Sequence, residues 1–518
     1  MTKQTFIKGA MILLAAGIIN RLLGFVPRIA LPRIIGAEGV GLYQLSYPFL
    51  IVMLTIITGG IPLAVAKWIA EAESQGDSTR VKYIFRAAMS FVVVLGIIMT
   101  ALMLLFAPWI TKHLLPDARV YHTFMVMSPL LIINGIASVY RGYFQGKQNM
   151  VPSAVSQTTE TLLRIIASLT FAYLLMPFGV EWAAAGAMLG VVIGEIGGLA
   201  VIMWTYYRDK HLDKTHKPLG SLPAGKREPV MSKLLNISIP VTASRLVGSL
   251  SYLLETIFTA RSLATAGIAS GIATAQYGAL QGMIIPLLLL PTALTYSLAV
   301  SLVPSLSEAA ARGDKELIHK RLHQSMRLAL VSGAPFVVVM TLFAEPLCRI
   351  LYNHAEIAPM LQLMAPIGIF VYLQAPLQAA LQALDKPATA LINTLIGAVV
   401  KLVMIVMLAS DPEFGIYGAL IAINVNIVLV TVLHAIAVLK FIGFRMKFLD
   451  FVKVGAAMVI MGASARFTMN QQPLPAEWIN LILACAAGVI IYLLLMVIMN
   501  IIDRHDVRRI PLFGQWFK

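Results

Sequence analysis

Residues 20–33 read NRLLGFVPRIALPR, inside an apolar N-terminal run long enough to cross a bilayer as a helix. A guanidinium at the centre of a bilayer costs at least about 2.5–3.5 kcal/mol on insertion scales, so arginines kept there need a use. On a helix, Gly17, Arg21, Gly24 and Arg28 step by four, three and four residues. That places two cations about 10 Å apart on one face, beside glycines that open space. Such a face suits a large anion. The pattern returns at 244–248, where SRLVG echoes NRLLG and sets Arg245 as the counterpart of Arg21.

A longer repeat supports that pairing. Residues 66–164 match residues 303–401 at one constant offset: Glu71-Ala72 with Glu308-Ala309, Gly76-Asp77 with Gly313-Asp314, Phe106-Ala107 with Phe343-Ala344, Met127 and Pro129 with Met364 and Pro366, Gln145 with Gln382, Arg164 with Lys401. Repeats of this kind fix an architecture before any single element does. Equivalent segments lie six spans apart, an even number, so both halves run in the same direction and are related by an axis along the membrane normal.

Composition agrees. With 59% hydrophobic and 12% charged residues and a mean hydropathy of +0.83, the chain is excluded from the soluble globular class, whose charged fraction is about twice as high. Its apolar runs fit helices that cross a hydrocarbon core of about 30 Å, whereas a barrel shows alternating segments of roughly ten residues. The expected fold is an all-α polytopic membrane protein with fourteen transmembrane helices. Residues 1–207 form a six-helix lobe, 208–232 a cytoplasmic linker, 233–440 a pseudo-symmetric six-helix lobe, 441–502 two extra transmembrane helices and 503–518 a cytoplasmic tail. Lys3 and Lys8 precede an apolar run too long for a signal peptide, so it reads as a retained span. The net charge of +16 points to orientation rather than nucleic acid. With both termini cytoplasmic, the outer segments hold only Arg33, Lys112, Arg119, Arg261, Arg349 and Arg466 of the 40 Lys and Arg residues.

The cations within spans are Arg21, Arg28, Arg164, Arg245 and Lys401. Arg21 and Arg245, central and repeat-related, are the leading anion ligands. Arg28 serves the same face or reaches a backbone carbonyl freed by Pro27 or Pro32. Glu160 precedes Arg164 by one turn, so an ion pair competes there with a functional role. Lys401 has no such neighbour and is a cavity candidate. Glu195 sits in a ladder of Gly186, Gly190, Gly194 and Gly198 that favours close helix packing. Glu255 is read as the counter-ion of Arg245 or Arg261, with a proton or sodium site as the alternative. Gln374, Gln378 and Gln382 form a stripe one turn apart, and Tyr43, Gln44, Ser46 and Tyr47 cluster in the second span. Both suit sugar hydroxyls, and both suit interhelical hydrogen bonds.

Enzyme and metal signals are poor. There is no HExxH, the glycines of GAEGVG at 36–41 lack the strand context of a nucleotide loop, and Cys348 and Cys485 make neither a disulfide framework nor a Cys-rich metal site. His319 and His323, one turn apart in HKRLHQ, read as a solvated basic face. No cofactor is called for.

The stretches NRLLGF, AEAESQGD and RGYFQGKQNMVPSAVSQTTETLLR, 141–164, resemble the polysaccharide-exporter and lipid II flippase branch of the multidrug/oligosaccharidyl-lipid/polysaccharide exporter superfamily, over essentially the whole chain. The resemblance implies a V-shaped transporter with a central cationic cavity opening alternately to either side, and in MurJ-type relatives a groove for a polyprenyl tail beside the last two helices. It implies a multi-pass protein of the cytoplasmic or forespore membrane of a Gram-positive spore former. The expected activity is flipping of an undecaprenyl-pyrophosphate-linked saccharide, lipid II for spore cortex peptidoglycan, with membrane lipids and cell-wall synthesis enzymes as partners. Arg21 matches the first-span arginine of that motif. In GFVPR, however, Pro27 takes the place of its second arginine and Arg28 follows one later, and 40–63 and 274–306 lack the cations those relatives carry there. Three rivals remain: a cation-coupled drug exporter on the same scaffold, a non-transporting scaffold of a cell-wall assembly complex, and a membrane-embedded glycosyltransferase, for which Asp117, Glu345, Glu356 and Asp411 are the available outer acids.

Overall fold

Glycine decides the first turn of the chain. In the computed structural model, which describes residues 16–17, 19–212, 230–471 and 474–501, the first apolar helical run covers Ile19–Ser74, 56 residues. At 1.5 Å per residue this would be roughly 84 Å long, more than twice a hydrocarbon core. It is broken at Gly36, whose φ of 66° is open to glycine at little cost. Thirteen described helices are long and apolar enough to cross a membrane, and the break gives the first of them two crossings. No strand occurs among the described residues. The chain is therefore an integral, multi-pass, all-helical membrane protein whose helix count accommodates fourteen spans. The start of the first span, most of the linker and the C-terminal tail lie outside the described residues.

The chain divides into two compact units, Met1–Met283 and Ile284–Lys518. The first contains α1 (Phe25–Thr58), α2 (Ile61–Ser74), α3 (Ser78–His113), α4 (Val120–Met127), α5 (Leu130–Gly146), α6 (Val151–Leu175), α7 (Val180–Leu212), α8 (Val230–Thr265) and α9 (Ser270–Gly278). Its most extensive seam joins α6 to α7. A Cβ on Gly190 would lie 2.1 Å from the Ser168 backbone nitrogen, one on Gly186 2.5 Å from the Phe171 carbonyl oxygen, and one on Gly194 2.6 Å from the Arg164 Cβ. The expected glycine ladder thus packs against α6 along four turns. Because lipid tails are as apolar as leucine, such contact rests on close packing and interhelical hydrogen bonds rather than on expulsion of water. Ser156 and Ser168 donate to the carbonyls of Gly198 and Ala187, each at 2.8 Å.

In the second unit, α10 (Ile285–Leu289), α11 (Thr292–Ala311), α12 (Lys315–Leu342), α13 (Ala344–Tyr352), α14 (Ala358–Met364), α15 (Gly368–Ala383), α16 (Pro387–Leu408) and α17 (Ile416–Ile442) precede the added pair α18 (Phe448–Gln471) and α19 (Glu477–Ile498). The pair is anchored to α12. Tyr492 donates to the Val331 carbonyl at 3.1 Å, and His323 Nε2 lies 3.1 Å from Asp450 Oδ2. His319 Nε2 lies 2.7 Å from the Ile442 carbonyl oxygen. The expectation of a solvated histidine face is corrected here, because both rings are half-buried and spent on docking the α17–α18 connection.

The repeat is visible within each unit. Gly76 and Gly313 both have φ of 69°, and the following Asp77 and Asp314 cap α3 and α12 by accepting from Arg80 N at 2.8 Å and Leu317 N at 2.9 Å, the preferred aspartate role at a helix start. Gln148 (φ 56°) and Asp385 (φ 57°) occupy a second matched turn, with Gln148 N to Gln145 O at 3.0 Å and Asp385 N to Gln382 O at 3.2 Å.

Candidate functional site

The α5, α6 and α7 helices of the first unit enclose a polar network inside the spans. Arg141 donates from Nη2 to Glu160 Oε2 at 3.0 Å and lies 3.7 Å from Glu195 Oε2. Arg164 Nη1 lies 3.3 Å from Glu160 Oε1, the expected one-turn pair, and Asn134 Nδ2 donates to Glu195 Oε1 at 2.7 Å. Two arginines and two glutamates meet, with Glu160 and Glu195 only 8% and 7% exposed. Buried charges persist when paired and hydrogen-bonded. Arg141, at the end of the fourth span, and Asn134 are the members that sequence reasoning missed.

Arg164 connects this network to an aromatic and cationic wall. The guanidinium groups of Arg164 and Arg28 both act electrostatically on Tyr43, and Arg28 also acts on Tyr252 of α8. Tyr43 stacks on Tyr47 with centroids 5.9 Å apart, and Arg28 stands 5.8 Å from the Phe25 ring. Glu255 accepts from Gln281 Nε2 at 3.0 Å, a partner the sequence did not suggest, on the π-helical turn Ala279–Ile284. Turns of that kind are frequent at functional sites. The first unit therefore brings together Arg28, Arg164, Tyr43 and Tyr252, with Glu160 behind them. Arg21 and Arg245 lie on exposed faces of the first helical run and of α8 in the same unit. Lys401 is buried on α16 and Gln378 is exposed on α15, both in the second unit. Of the glutamine stripe, Gln374 is spent on the Ile427 carbonyl at 3.0 Å, and Ser46 bonds back to Tyr43 O at 2.8 Å.

One end of this unit is closed by a second ionic cluster. Arg119 donates to Asp117 from Nε at 3.0 Å and from Nη2 at 2.8 Å, and its Nη2 lies 2.7 Å from Glu38 Oε1. Thr274 of α9 donates to Asp117 Oδ2 at 2.8 Å. Beneath it α1 and α9 touch backbone to backbone, since a Cβ on Gly41 would meet the Thr274 oxygen at 2.0 Å and one on Gly278 the Ala37 oxygen at 2.2 Å. Of the glycines of GAEGVG, Gly41 serves this seam and Gly36 breaks the helix. Burial pushes the Asp117 carboxyl up, but the hydrogen bonds from Arg119 and Thr274 and the Arg119 charge outweigh it and hold the group below the ordinary carboxylate range. The stabilisation is thus complete above the usual carboxylate pKa and is lost as pH falls through the depressed value. Hydrogen exchange over 269–275 should accelerate in that acid window relative to an Asp117→Asn reference, and equal profiles would refute the linkage.

The four acids weighed for a catalytic site are dispersed on local tasks. Asp117 is locked as above, Glu345 lies 3.6 Å from Arg349, Glu356 pairs with His354, and Asp411 accepts from the Glu413 backbone at 2.9 Å. No cluster of three or more His, Cys, Asp or Glu suited to a metal ion occurs among the described residues.

The family model for polysaccharide biosynthesis proteins matches residues 6–309, and the MatE model matches 248–407. The chain is 40% identical to stage V sporulation protein B of Bacillus subtilis (strain 168) over 99% of both chains. It is 27% identical to lipid II flippase MurJ of the same organism, covering 88% of this chain and 86% of that one. In fold it is similar to a structure of lipid II flippase MurJ in an inward closed conformation, with a TM-score of 0.69, 14% identity, and coverage of 95% and 99%. The relative named lipid II flippase MurJ is a transporter rather than a catalyst, and the chain is a membrane flippase or exporter. It belongs to the polysaccharide biosynthesis protein family.

Proposed function

We propose that the protein flips an undecaprenyl-pyrophosphate-linked saccharide, the lipid II used for spore cortex peptidoglycan, from the inner to the outer leaflet by alternating access. The observation that carries this reading is the placement of Arg28 and Arg164 within electrostatic range of Tyr43, whose ring stacks on Tyr47, inside the spans. Guanidinium groups present planar donor pairs suited to phosphate oxygens, and tyrosines offer hydroxyl partners and ring faces to a sugar. Arg21 and Arg245 join the diphosphate site, while Lys401 and Gln378 are assigned to head-group binding from the sequence alone. The lobes 1–207 and 233–440 rock about the linker, and both termini face the cytoplasm, which puts the Asp117–Arg119 cluster at the outer end. The relative named lipid II flippase MurJ supports the substrate class, and the one named stage V sporulation protein B supports the setting in sporulation. An inside-negative potential of about 100 mV contributes roughly 2.3 kcal/mol per charge, so an uncompensated diphosphate is driven outward without a coupling ion.

Reconstitution in liposomes with labelled lipid II and a teichoic-acid-type lipid carrier tests this. Wild-type protein should move lipid II faster when the potential is inside-negative, and the Arg28→Ala/Arg164→Gln variant should lose at least about tenfold in rate at equal abundance. Glu160 keeps Arg141 in that variant, so folding is preserved. Lipid II that stays in its starting leaflet under every condition, with folded protein present, refutes the flippase. The match to the MatE model favours one second reading, a cation-coupled exporter, which predicts transport following a proton or sodium gradient and ignoring lipid II.

A further inference from the structure

Charge balance in the α5–α6–α7 network is uneven. Glu160 is satisfied twice, by Arg141 at 3.0 Å and by Arg164 at 3.3 Å. Glu195, midway along α7, receives one neutral amide bond from Asn134 on its Oε1, and its Oε2 is buried with no hydrogen-bond partner, 3.7 Å from Arg141. The side chain is 9% exposed. An ionised carboxylate with an empty buried oxygen is among the costliest groups inside a span, and it disappears on taking up a proton. The groups facing Glu195 are Asn134 and Arg141 from α5 and Glu160 and Arg164 from α6. On the α1 side, Tyr43 lies beyond Arg164. At the far end of α7 the His122 ring of α4 packs on Trp182, 4.4 Å away.

We propose that Glu195 is a proton-binding site, carrying its proton on Oε2, and that its occupancy rises when an anion engages Arg164. Arg141 is the shared cation. While Arg164 stays on Glu160, Glu195 holds its proton near neutral pH but gives it up to water as pH rises, because Arg141 can then move to the carboxylate. When a phosphate group draws Arg164 away, Glu160 holds Arg141 alone and Glu195 keeps its proton. Linkage makes the effect reciprocal, so anion affinity strengthens as pH falls. The second half of the proposal rests on the diphosphate reading above, and the first half does not.

Infrared spectroscopy of the ligand-free protein in nanodiscs separates them. A protonated-carboxyl stretch should be present near neutral pH, disappear in Glu195→Gln, survive in Glu255→Gln, and shift in Asn134→Leu, which removes the bond to Oε1 and serves if Glu195→Gln fails to accumulate. No such band at any pH, or one indifferent to both the Glu195 and Asn134 changes, overturns the proton site. Binding of farnesyl pyrophosphate is then measured against pH. The wild type should lose up to about tenfold in affinity per unit of rising pH relative to Glu195→Gln, because the amide imitates the protonated state. Parallel pH profiles overturn the linkage. Absence of any binding overturns the diphosphate reading and the linkage with it, while the band still decides the proton site.

Discussion

Replacing Gly190 by valine should abolish accumulation of folded protein in the membrane. The new Cβ would fall 2.1 Å from the Ser168 nitrogen and 2.2 Å from its Cα, so the obstruction is backbone on the opposite helix and no rotamer relieves it. Overpacking ordinarily costs about 1–3 kcal/mol because side chains give way. Here α6 and α7 must separate, which also breaks the 2.8 Å bond from Ser168 Oγ to the Ala187 carbonyl and pulls Arg164 and Glu160 from the faces of Gly194 and Gly198. The loss should exceed that range. Gly248→Ala is the control, since nothing lies within 4 Å of a Cβ there. Fluorescence size-exclusion of tagged variants in detergent reads the result, and a monodisperse Gly190→Val peak at wild-type yield would show that the seam tolerates widening.

At alkaline pH, where Glu195 has given up its proton, Arg141→Met should destabilise the first unit by about 3–5 kcal/mol, the usual consequence of removing one partner from a buried charge group. Arg164 would remain on Glu160, but Glu195 would lose the cation beside it. The nature of the loss distinguishes charge from shape, because methionine fills much of the same volume. A Glu195→Gln change added to Arg141→Met should recover most of the melting temperature, as should acidification of the single variant, since both remove the stranded anion. A double variant no more stable than Arg141→Met would mean that arginine packing, rather than charge, holds the site.

Repeat and apolar runs were legible in the chain because each is a pattern of the sequence itself, and the matched turns at Gly76 and Gly313 have the same φ. The one-turn pair of Glu160 and Arg164 was legible for the same reason. Arg141 was not, because it stands at the end of its span, where cations are common, and its partners lie on other helices. Gln281 was hidden similarly in an apolar stretch without periodic polar neighbours. Asp117 was noticed only as one of four outer acids, unclustered in sequence, that a rival reading could use, since only tertiary structure brings Arg119, Thr274 and Glu38 around it. His319 and His323 were misjudged because the docking of a later segment, 442–450, covers a face that looks polar in isolation.

The turns at Gln148 and Asp385 hold a further lesson. Two stretches of one polypeptide keep the same left-handed residue and the same hydrogen bond, while Arg164 in one copy has become Lys401 in the other and Glu160 has become Gly397. Descent from a duplicated ancestor explains both facts at once. Backbone punctuation, which every copy needs in order to fold, outlasts the ionisable groups that natural selection is free to specialise once a second set exists. The two copies have therefore divided their tasks, one carrying an acid beside its base and the other a base without that acid.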